Sequence, residues 1–441
     1  MKKGEEESLF SKLSAMRHRG QISFHVPGNK FGRGLSQFLS EEKLLLESLD
    51  YTEIKGTDNL HAPEGVILAS QKEAARTFGA LETQFLVGGT TAGILSAILG
   101  TVPRGGRIIL PRDAHRSVLS AVLLGGLEPV CLMPEIDTAT GIVLGLSAET
   151  VREALLIHPD AAAVLVTYPN YEGVACNLSA IVEIAHGQNV PVIVDEAHGA
   201  HFGLSEDLPD TALSFGADLV VQSTHKTLTS LTQSSMLHYG TERGLEMKPR
   251  ISNYLAMLQS SSPSYPLMVS LELAARFYAS EGSTHMAGLL SEVETLASKA
   301  KSLGYLFMHD AMALPEGFAV DRTRLVISAA ELGMDGYQLY QALEENGVVG
   351  EYATPLYVVL IPSLVSDASD FSALMTSLEK LAREAVPAGN RALPRVPVLR
   401  ITALPERAVS AEEALWSARE AVPIAEAKGR VAGDFLIPYP P

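Results

Sequence analysis

One lysine lies in a stretch of the chain that is crowded with hydroxyl groups. Residues 221–235 read Val-Gln-Ser-Thr-His-Lys-Thr-Leu-Thr-Ser-Leu-Thr-Gln-Ser-Ser, with Lys226 inside the run. A lysine in such an uncharged stretch is costly unless it is paired, neutralised or used in a covalent bond. The hydroxyls could hold a phosphate or carboxylate of a ligand whose aldehyde bonds to the amine. A solvated loop lysine is the alternative interpretation.

An aspartate ends an apolar run upstream of this lysine. Val192-Ile-Val-Asp195 is typical of a buried strand that runs into an acid, and residues 218–221 are typical of another strand just before the lysine loop. In an open parallel sheet, ligands bind beyond the carboxyl ends of the strands, so we expect Asp195 and Lys226 to share one crevice. An aspartate facing a pyridine nitrogen and a lysine facing an aldehyde are the two anchors of pyridoxal phosphate. The pair therefore indicates a site for this cofactor.

A glycine-rich turn offers a place for the phosphate of such a cofactor. Gly88-Gly89-Thr90-Thr91 lies between a predicted strand and a predicted helix. That arrangement presents free backbone N–H groups and a positive helix dipole to an anion. Alone it is an ordinary turn of an α/β protein, but with Lys226 and Asp195 it is our candidate for the phosphate-binding turn.

The motifs around these anchors resemble those of the ornithine/lysine/arginine decarboxylase family, a group of fold-type I pyridoxal-phosphate enzymes. The resemblance runs from about residue 24 to the end of the chain, and it fits the short form of the family, which lacks an N-terminal receiver-like domain. The matching segments are Phe24-His-Val-Pro-Gly28, Glu53 to His61, Pro63-Glu-Gly65, Pro111-Arg-Asp-Ala-His115-Arg-Ser117, Ser223-Thr-His225-Lys226, Thr229-Ser230, Thr232-Gln-Ser-Ser235 and Leu258 to Tyr265.

The resemblance implies a role for each candidate residue. His115 would stack on one face of the cofactor ring and Ala197 would pack on the other, while Asp195 would keep the ring nitrogen protonated. Lys226 would carry the cofactor, and either Lys226 or His225 would return a proton to the substrate. The other cofactor contacts would be Gly89, Thr90, Thr91, His198, Ser223, His225 and, from a partner subunit, Ser261 or Ser262.

The resemblance also implies the reaction, the α-decarboxylation of arginine, lysine or ornithine to give a polyamine precursor. A substrate with a distal cation needs an acid at the far end of the pocket, and Glu351 occupies the position where the family places one. A surface glutamate is the alternative. Asp58 and Glu53 could supply the acid instead, across the interface of a homodimer or higher oligomer with shared active sites.

Two alternatives keep the family but change the activity. The chain could be a pyridoxal-phosphate-dependent oxidase or aminotransferase acting on a basic amino acid. It could also be a non-catalytic regulatory relative, although intact Lys226, Asp195 and His115 argue against that. Two segments depart from the family pattern, at Asn29 in Pro27-Gly-Asn-Lys30 and at Asn170 in Tyr168-Pro-Asn-Tyr171. We expect both to border the site and to bear on the choice of substrate.

The composition limits the partners and the location of the protein. The formal charge of -17 argues against nucleic acid and anionic membranes as partners, although it is compatible with a cationic substrate. No apolar run approaches the roughly 20 residues that span a bilayer, and the N-terminus is too acidic for a targeting signal. We expect a cytoplasmic protein, or an organellar one if a transit peptide was removed. Cys131 and Cys176 are expected to be reduced thiols, and no metal site is expected, because His198 and His201 lack a third ligand at a recognisable spacing.

The order of elements predicts the architecture that must position these residues. With 441 residues and 46% hydrophobic composition, the chain should form more than one domain. Strands alternate with helices from residue 66, which predicts a mostly parallel, doubly wound α/β sheet of the aspartate aminotransferase type. We expect an N-terminal arm (1–60), a cofactor-binding large domain (61–300), a smaller α+β domain (301–390) and a C-terminal tail (391–441). A proline-rich linker is predicted at 386–397.

Overall fold

The structure is a computed structural model that describes residues 20–41, 45–385 and 408–431. The predicted linker at 386–397 lies outside these residues. The strands are β1 (Ile22–Phe24), β2 (Glu82–Leu86), β3 (Arg107–Pro111), β4 (Glu128–Leu132), β5 (Glu135–Ile136), β6 (Val143–Gly145), β7 (Ala161–Thr167), β8 (Val174–Ala175), β9 (Val192–Asp195), β10 (Leu219–Gln222), β11 (Ser235–Tyr239), β12 (Leu306–Phe307), β13 (Ala319–Val320), β14 (Leu325–Ser328), β15 (Val348–Gly350), β16 (Tyr352–Ala353) and β17 (Val358–Leu360).

Helices connect most of these strands. The α-helices are α1 (Arg33–Glu41), α2 (Val66–Phe78), α3 (Gly89–Thr101), α4 (Arg116–Gly125), α5 (Ala148–Ile157), α6 (Leu178–Gly187), α7 (Thr224–Thr227), α8 (Glu242–Leu258), α9 (Tyr265–Phe277), α10 (Ser283–Ser302), α11 (Met308–Ala311), α12 (Gly336–Glu345), α13 (Ala368–Glu384) and α14 (Ala411–Trp416). A π-helical turn, Tyr278–Gly282, joins α9 to α10. Asp335 is the N-cap of α12, because it accepts a hydrogen bond from the Gln338 amide at 2.8 Å.

The large sheet has seven strands in the order β2-β11-β10-β9-β7-β3-β4. β11 runs antiparallel to both of its neighbours, whereas the remaining pairs are parallel. The central strands β9 and β10 are apolar up to a terminal Asp195 or Gln222, and every residue in them is buried. Strands buried on both faces need covering helices and long crossovers, which a parallel sheet provides. The prediction of a mostly parallel α/β sheet is confirmed.

A second sheet belongs to the C-terminal part of the chain. Its four strands follow the order β12-β14-β17-β16 and pair antiparallel. The alternation of these strands with α12 and α13 agrees with the predicted smaller α+β domain. The domain boundaries at residues 60, 300 and 390 stay predictions.

Part of the expected N-terminal arm is packed into the core. β1 pairs in parallel with β15, and Phe24 is fully buried with its ring 5.6 Å from that of Phe371, measured between centroids. Removing a buried phenylalanine side chain costs about 3–5 kcal/mol in typical cores. Describing residues 1–60 as an arm was therefore wrong for β1, because the strand that it pairs with lies more than 300 residues away, and local sequence does not reveal that contact.

In the part of the chain that the structure describes, no helix has the length and apolar character needed to cross a membrane.

Candidate active site

The loops that follow four parallel strands meet at one edge of the large sheet. β3 leads to His115, β7 to Tyr171, β9 ends at Asp195, and β10 leads to Lys226 on α7. Asp195 lies in register with Val221 of β10 and Thr167 of β7. Because the carboxyl ends of parallel strands share an edge, the predicted convergence of Asp195 and Lys226 follows from the topology.

The amine of Lys226 is held by a neutral ring rather than by a carboxylate. Its Nζ lies 2.9 Å from Nε2 of His198 and 5.9 Å from the ring centroid of Tyr171. Burial lowers the pKa of Lys226, while Asp195 and Glu351 oppose this shift and Arg324 adds to it. A lowered pKa raises the fraction of uncharged amine at neutral pH, and the uncharged amine is the nucleophile.

Asp195 is a buried carboxylate with little compensation. Its Oδ1 accepts one hydrogen bond, from the Ala197 amide at 3.2 Å. Burial raises the pKa of Asp195, whereas Lys226 and His115, when they are protonated, act in the opposite direction. A protonated ring nitrogen would satisfy this carboxylate, so the residue fits the predicted role.

His115 stands at the start of α4 and is open to solvent on one side. Its Nδ1 accepts a hydrogen bond from the Ser117 amide at 3.2 Å, which caps the helix. Partial burial lowers the pKa of His115, with Asp195 opposing and Lys226 adding to the shift. The ring therefore lies in the electrostatic range of both anchors, whereas its stacking on a cofactor, like the packing of buried Ala197, stays a prediction.

Two backbone amides of the candidate phosphate-binding turn are already hydrogen-bonded within the protein. The Gly88 amide donates to Gln259 Oε1 at 3.1 Å, and the Gly89 amide, at φ 70°, donates to the Gln233 carbonyl at 2.9 Å. The expectation that these two amides are free was wrong, because partners distant in sequence use them. The first turn of α3 still leaves the amides of Thr90 and Thr91 without acceptors inside the helix.

Two serine hydroxyls lie beside the start of this helix. The Thr90 hydroxyl contacts that of Ser223 and lies 2.8 Å from the Ser235 hydroxyl. Thr91 is exposed, as an anion-binding position at the mouth of a cleft would be. Ser261 and Ser262 are also exposed in the single chain.

The hydrogen bond of His225 determines which of its ring nitrogens carries the proton in the neutral form. Its Nδ1 lies 2.7 Å from the Ser234 carbonyl, so this nitrogen carries the proton and Nε2 does not. Burial lowers the pKa of His225 to about 4, with Ser234 opposing and Lys226 adding to the shift. A contact from His225 to an anionic phosphate would require protonation of Nε2, so its predicted cofactor role is not explained by the ring as it stands.

Together these residues fit pyridoxal phosphate. A partly desolvated lysine, a buried and under-compensated aspartate and a hydroxyl-lined helix start match the aldehyde, the ring nitrogen and the phosphate of this molecule.

Glu351 links three segments beside the lysine. Its Oε1 accepts a hydrogen bond from the Tyr171 hydroxyl at 2.6 Å, and its Oε2 accepts one from the Val26 amide at 2.9 Å. Tyr171 in turn places its ring 4.5 Å from that of His198, between centroids. Glu351 is therefore half-buried, held by two donors and close enough to affect the pKa of Lys226, while its role as the substrate acid stays a prediction.

Asp58 caps a helix within the single chain, and its predicted role across a subunit interface stays a prediction. Its Oδ2 accepts hydrogen bonds from the amides of Gly65 and Ile67 at 2.8 and 3.0 Å, at the start of α2. Against the opposing effect of burial, the backbone hydrogen bonds lower the pKa of Asp58. This carboxylate is used to cap a helix, so within the single chain it is not free to bind a substrate cation. Glu53 is exposed.

The two departures from the family pattern are structural in this fold. Asn29 Oδ1 accepts from the Gly32 amide at 3.0 Å, and Asn170 Oδ1 accepts from the Val174 amide at 2.8 Å. Each asparagine therefore closes a turn of its own loop. The expectation that they bear on substrate choice finds no direct contact in support.

Two buried side chains near the lysine were not among the residues predicted from the sequence. Arg324 is buried, and its Nη2 lies 3.0 Å from Nδ1 of His198. Lys30 is also buried and donates to the carbonyls of His25 and Ile361 at 2.6 and 3.0 Å, while burial lowers its pKa to about 7. The sequence signal was weak: Arg324 directly precedes the apolar strand β14, and such an arginine needs an internal partner if the strand is buried.

Comparisons with known proteins give one consistent family. A sequence profile described as "Orn/Lys/Arg decarboxylase, major domain" matches residues 7–315. An arginine decarboxylase of Bacillus subtilis is 34% identical over 450 residues, covering 99% of this chain and 89% of that protein.

Solved structures share the fold. Lysine decarboxylase A from Pseudomonas aeruginosa superposes with a TM-score of 0.73 at 22% identity, covering 98% of this chain and 72% of that one. The lysine decarboxylase LdcF of Francisella novicida gives a TM-score of 0.66 at 18% identity, covering 83% of this chain and 58% of that one.

The capping role of Asp58 can be tested by Asp58→Gly, since glycine accepts the φ of 68° and only the carboxylate is lost. We expect the free energy of unfolding to fall by about 2 kcal/mol in urea titrations. The matched control, Glu53→Gly, should lose less than about 1 kcal/mol. Equal losses of stability in the two variants would show that the Asp58 carboxylate does not stabilise the start of α2.

Proposed function

The chain belongs to the Orn/Lys/Arg decarboxylase family, and from that membership we propose that it removes the α-carboxylate of a basic amino acid with pyridoxal phosphate held at Lys226. The observation that carries the proposal is the meeting of Lys226, Asp195 and His115 at the carboxyl edge of the large sheet, where Asp195 affects the pKa of both other residues. This combination supplies an amine, an anion and a flat ring around one cleft.

Each anchor has a definite task in the reaction. Pyridoxal phosphate, when bound, supplies an aldehyde for the substrate amine and a ring that accepts the electron pair left by departing carbon dioxide. Asp195 keeps a proton on the ring nitrogen, because its buried carboxylate gains a positive partner. His115 and Ala197 orient the ring, and the hydroxyls of Thr90 and Ser223 bind the phosphate.

Lys226 is the better candidate for the proton donor to the substrate α-carbon. Neutral His225 carries its proton on Nδ1, which is bound to the Ser234 carbonyl. The Lys226 amine can take up a proton and release it, because its lowered pKa brings it closer to neutral pH.

We propose arginine as the preferred substrate, with lysine and ornithine as the competitors. Several relatives that are 33–35% identical over nearly the whole chain are named arginine decarboxylase. Glu351 fits a distal guanidinium, since two donors hold the carboxylate in place and leave acceptor positions for a cation. Production of a polyamine precursor and a cytoplasmic location stay predictions.

We also propose a homodimer with shared active sites. Ser261 and Ser262 are exposed, while Gln259 of the same segment binds the amides of Val87 and Gly88 beside the phosphate-binding turn. A two-fold axis next to this segment would bring the serines of each copy to the turn of its partner.

Lys226→Ala should abolish covalent retention of the cofactor and turnover while the fold persists. Borohydride reduction followed by peptide mass spectrometry should find the cofactor on the Lys226 peptide of the unaltered protein and nowhere in the variant. Lys248→Ala, at a lysine that pairs with Glu82 at the start of β2, is the control and should keep the label. Labelling at another lysine would overturn the assignment.

Glu351→Gln should weaken the recognition of cationic substrates, because the amide keeps the size and removes the charge. Loss of a charge-assisted hydrogen bond of about 1.5–3 kcal/mol predicts a Michaelis constant for arginine that rises roughly 10- to 100-fold. The rise should be much smaller for uncharged norleucine. Glu331→Gln, at an exposed glutamate, serves as the control. Equal rises for arginine and norleucine would assign Glu351 a structural task.

Shared active sites predict complementation between two inactive variants. Lys226→Ala lacks the amine, and the double variant Ser261→Ala with Ser262→Ala lacks the proposed partner hydroxyls. Mixing and reassembling them should restore up to about a quarter of the activity, since one combined site in a heterodimer is intact. A fully active monomer in solution would contradict the proposal.

A further inference from the structure

Arg324 reaches the lysine site through the protein interior. Its side chain is fully buried, and its Nη2 lies 3.0 Å from Nδ1 and 3.3 Å from the carbonyl oxygen of His198. The route requires a glycine at position 173, because a β-carbon there would stand 2.5 Å from Cγ of Arg324. Asp321 Oδ2 lies 3.6 Å from its Nε, and His201 shares that carboxylate at 3.1 Å.

The contact with Arg324 determines which nitrogen of His198 carries the proton. A guanidinium has five N–H donors and no acceptor, so Nδ1 of His198 must be the acceptor. Burial lowers the pKa of His198 well below its usual value, and the permanent charge of Arg324 adds to the shift. The ring is therefore neutral, and its one proton lies on Nε2.

That proton determines the charge state of Lys226. Nε2 of His198 lies 2.9 Å from Nζ of Lys226, and an N–H donor faces an amine favourably only if the amine offers a lone pair. A protonated amine would place two donors against each other.

We propose that Arg324 is a positioning residue that fixes the ring tautomer of His198 and thereby keeps the Lys226 amine uncharged. The inference rests on the proposed role of Lys226 and adds the contact that keeps its amine in the reactive, uncharged form. Arg324 contacts His198, and His198 contacts the Lys226 amine, so the arginine acts on the amine through the histidine ring.

Other charged groups also act on the amine. Their direct electrostatic effect differs from an effect that passes through the His198 ring. Asp195 and Glu351 favour the charged amine, while Arg324 disfavours it by charge alone. His115 and His225 face His198 together with Lys226. A direct effect of the arginine charge predicts the same shift whether or not His198 is present, whereas an effect through the ring does not.

The tautomer can be observed directly in the unaltered protein. Full-length, cofactor-free protein labelled with ¹⁵N at histidine should show a ring with protonated Nε2 and bare Nδ1, assigned by its absence from the spectrum of His198→Phe. A ring protonated on Nδ1, or on both nitrogens at neutral pH, would overturn the proposal. The measurement needs no variant at position 324, so it stands even if such a variant does not fold.

A double-mutant cycle tests whether the arginine acts through the ring. The readout is the pH midpoint for acetylation of Lys226 by acetic anhydride in cofactor-free protein, measured on the Lys226 peptide. Without Arg324, His198 can turn a bare nitrogen to the amine and stabilise its charged form. Arg324→Met should therefore raise the midpoint by about one pH unit. At a pH below the midpoint, this rise corresponds to about tenfold less neutral amine.

In the His198→Phe background, Arg324→Met should raise the midpoint by less than half as much. Equal rises in the two backgrounds would show that the arginine acts by charge alone, and no rise in either would show that it does not act on the amine. Arg322→Met, at an exposed arginine two residues away, is the matched control and should leave the midpoint unchanged. Because no readout uses the cofactor, failure here leaves the borohydride test of the proposed function intact.

Discussion

Desolvation of one lysine amine is the constraint on which the rest of the site depends. Taking the Lys226 amine out of water favours its neutral form, and its hydrogen-bond partner is the uncharged ring of His198. The neighbouring carboxylates, Asp195 and Glu351, are close enough to affect the pKa of the amine, but each has other contacts. An amine that was ion-paired to either acid would be charged and unreactive. The arrangement thus agrees with the roles proposed for the two carboxylates, Asp195 towards the cofactor ring and Glu351 towards the substrate.

The N-terminal segment completes the surroundings of this amine. Gly28 donates its amide to the His225 carbonyl at 2.8 Å, and a β-carbon at this position would lie 2.2 Å from the Leu228 carbonyl. Lys30 ties the same segment to the small domain through Ile361. Glu351 accepts from the Val26 amide, so the acid proposed for the substrate cation is positioned by the same segment. A change in residues 24–30 would therefore reach both the lysine loop and the substrate acid.

The sequence was informative where chemistry and chain order coincide. Lys226 and Asp195 follow apolar strands, so parallel-sheet topology alone brings them to one edge. The sequence was not informative where the hydrogen-bond partner of a residue lies far away in the chain. The Gly89 amide donates to the Gln233 carbonyl, the Asp58 carboxylate accepts from the Gly65 amide, and Arg324 contacts His198 across 126 residues. Hydrogen-bond partners of this kind are set by tertiary packing, which no local pattern encodes.

The balance of products tests the central claim most directly. Purified protein loaded with pyridoxal phosphate is given arginine, lysine or ornithine, and carbon dioxide, amine, hydrogen peroxide and keto acid are measured together. The account predicts one carbon dioxide and one amine, shorter by that carboxylate, for each amino acid consumed, with the highest specificity constant for arginine. Hydrogen peroxide or a keto acid in place of that amine, or no turnover of any of the three, would contradict it.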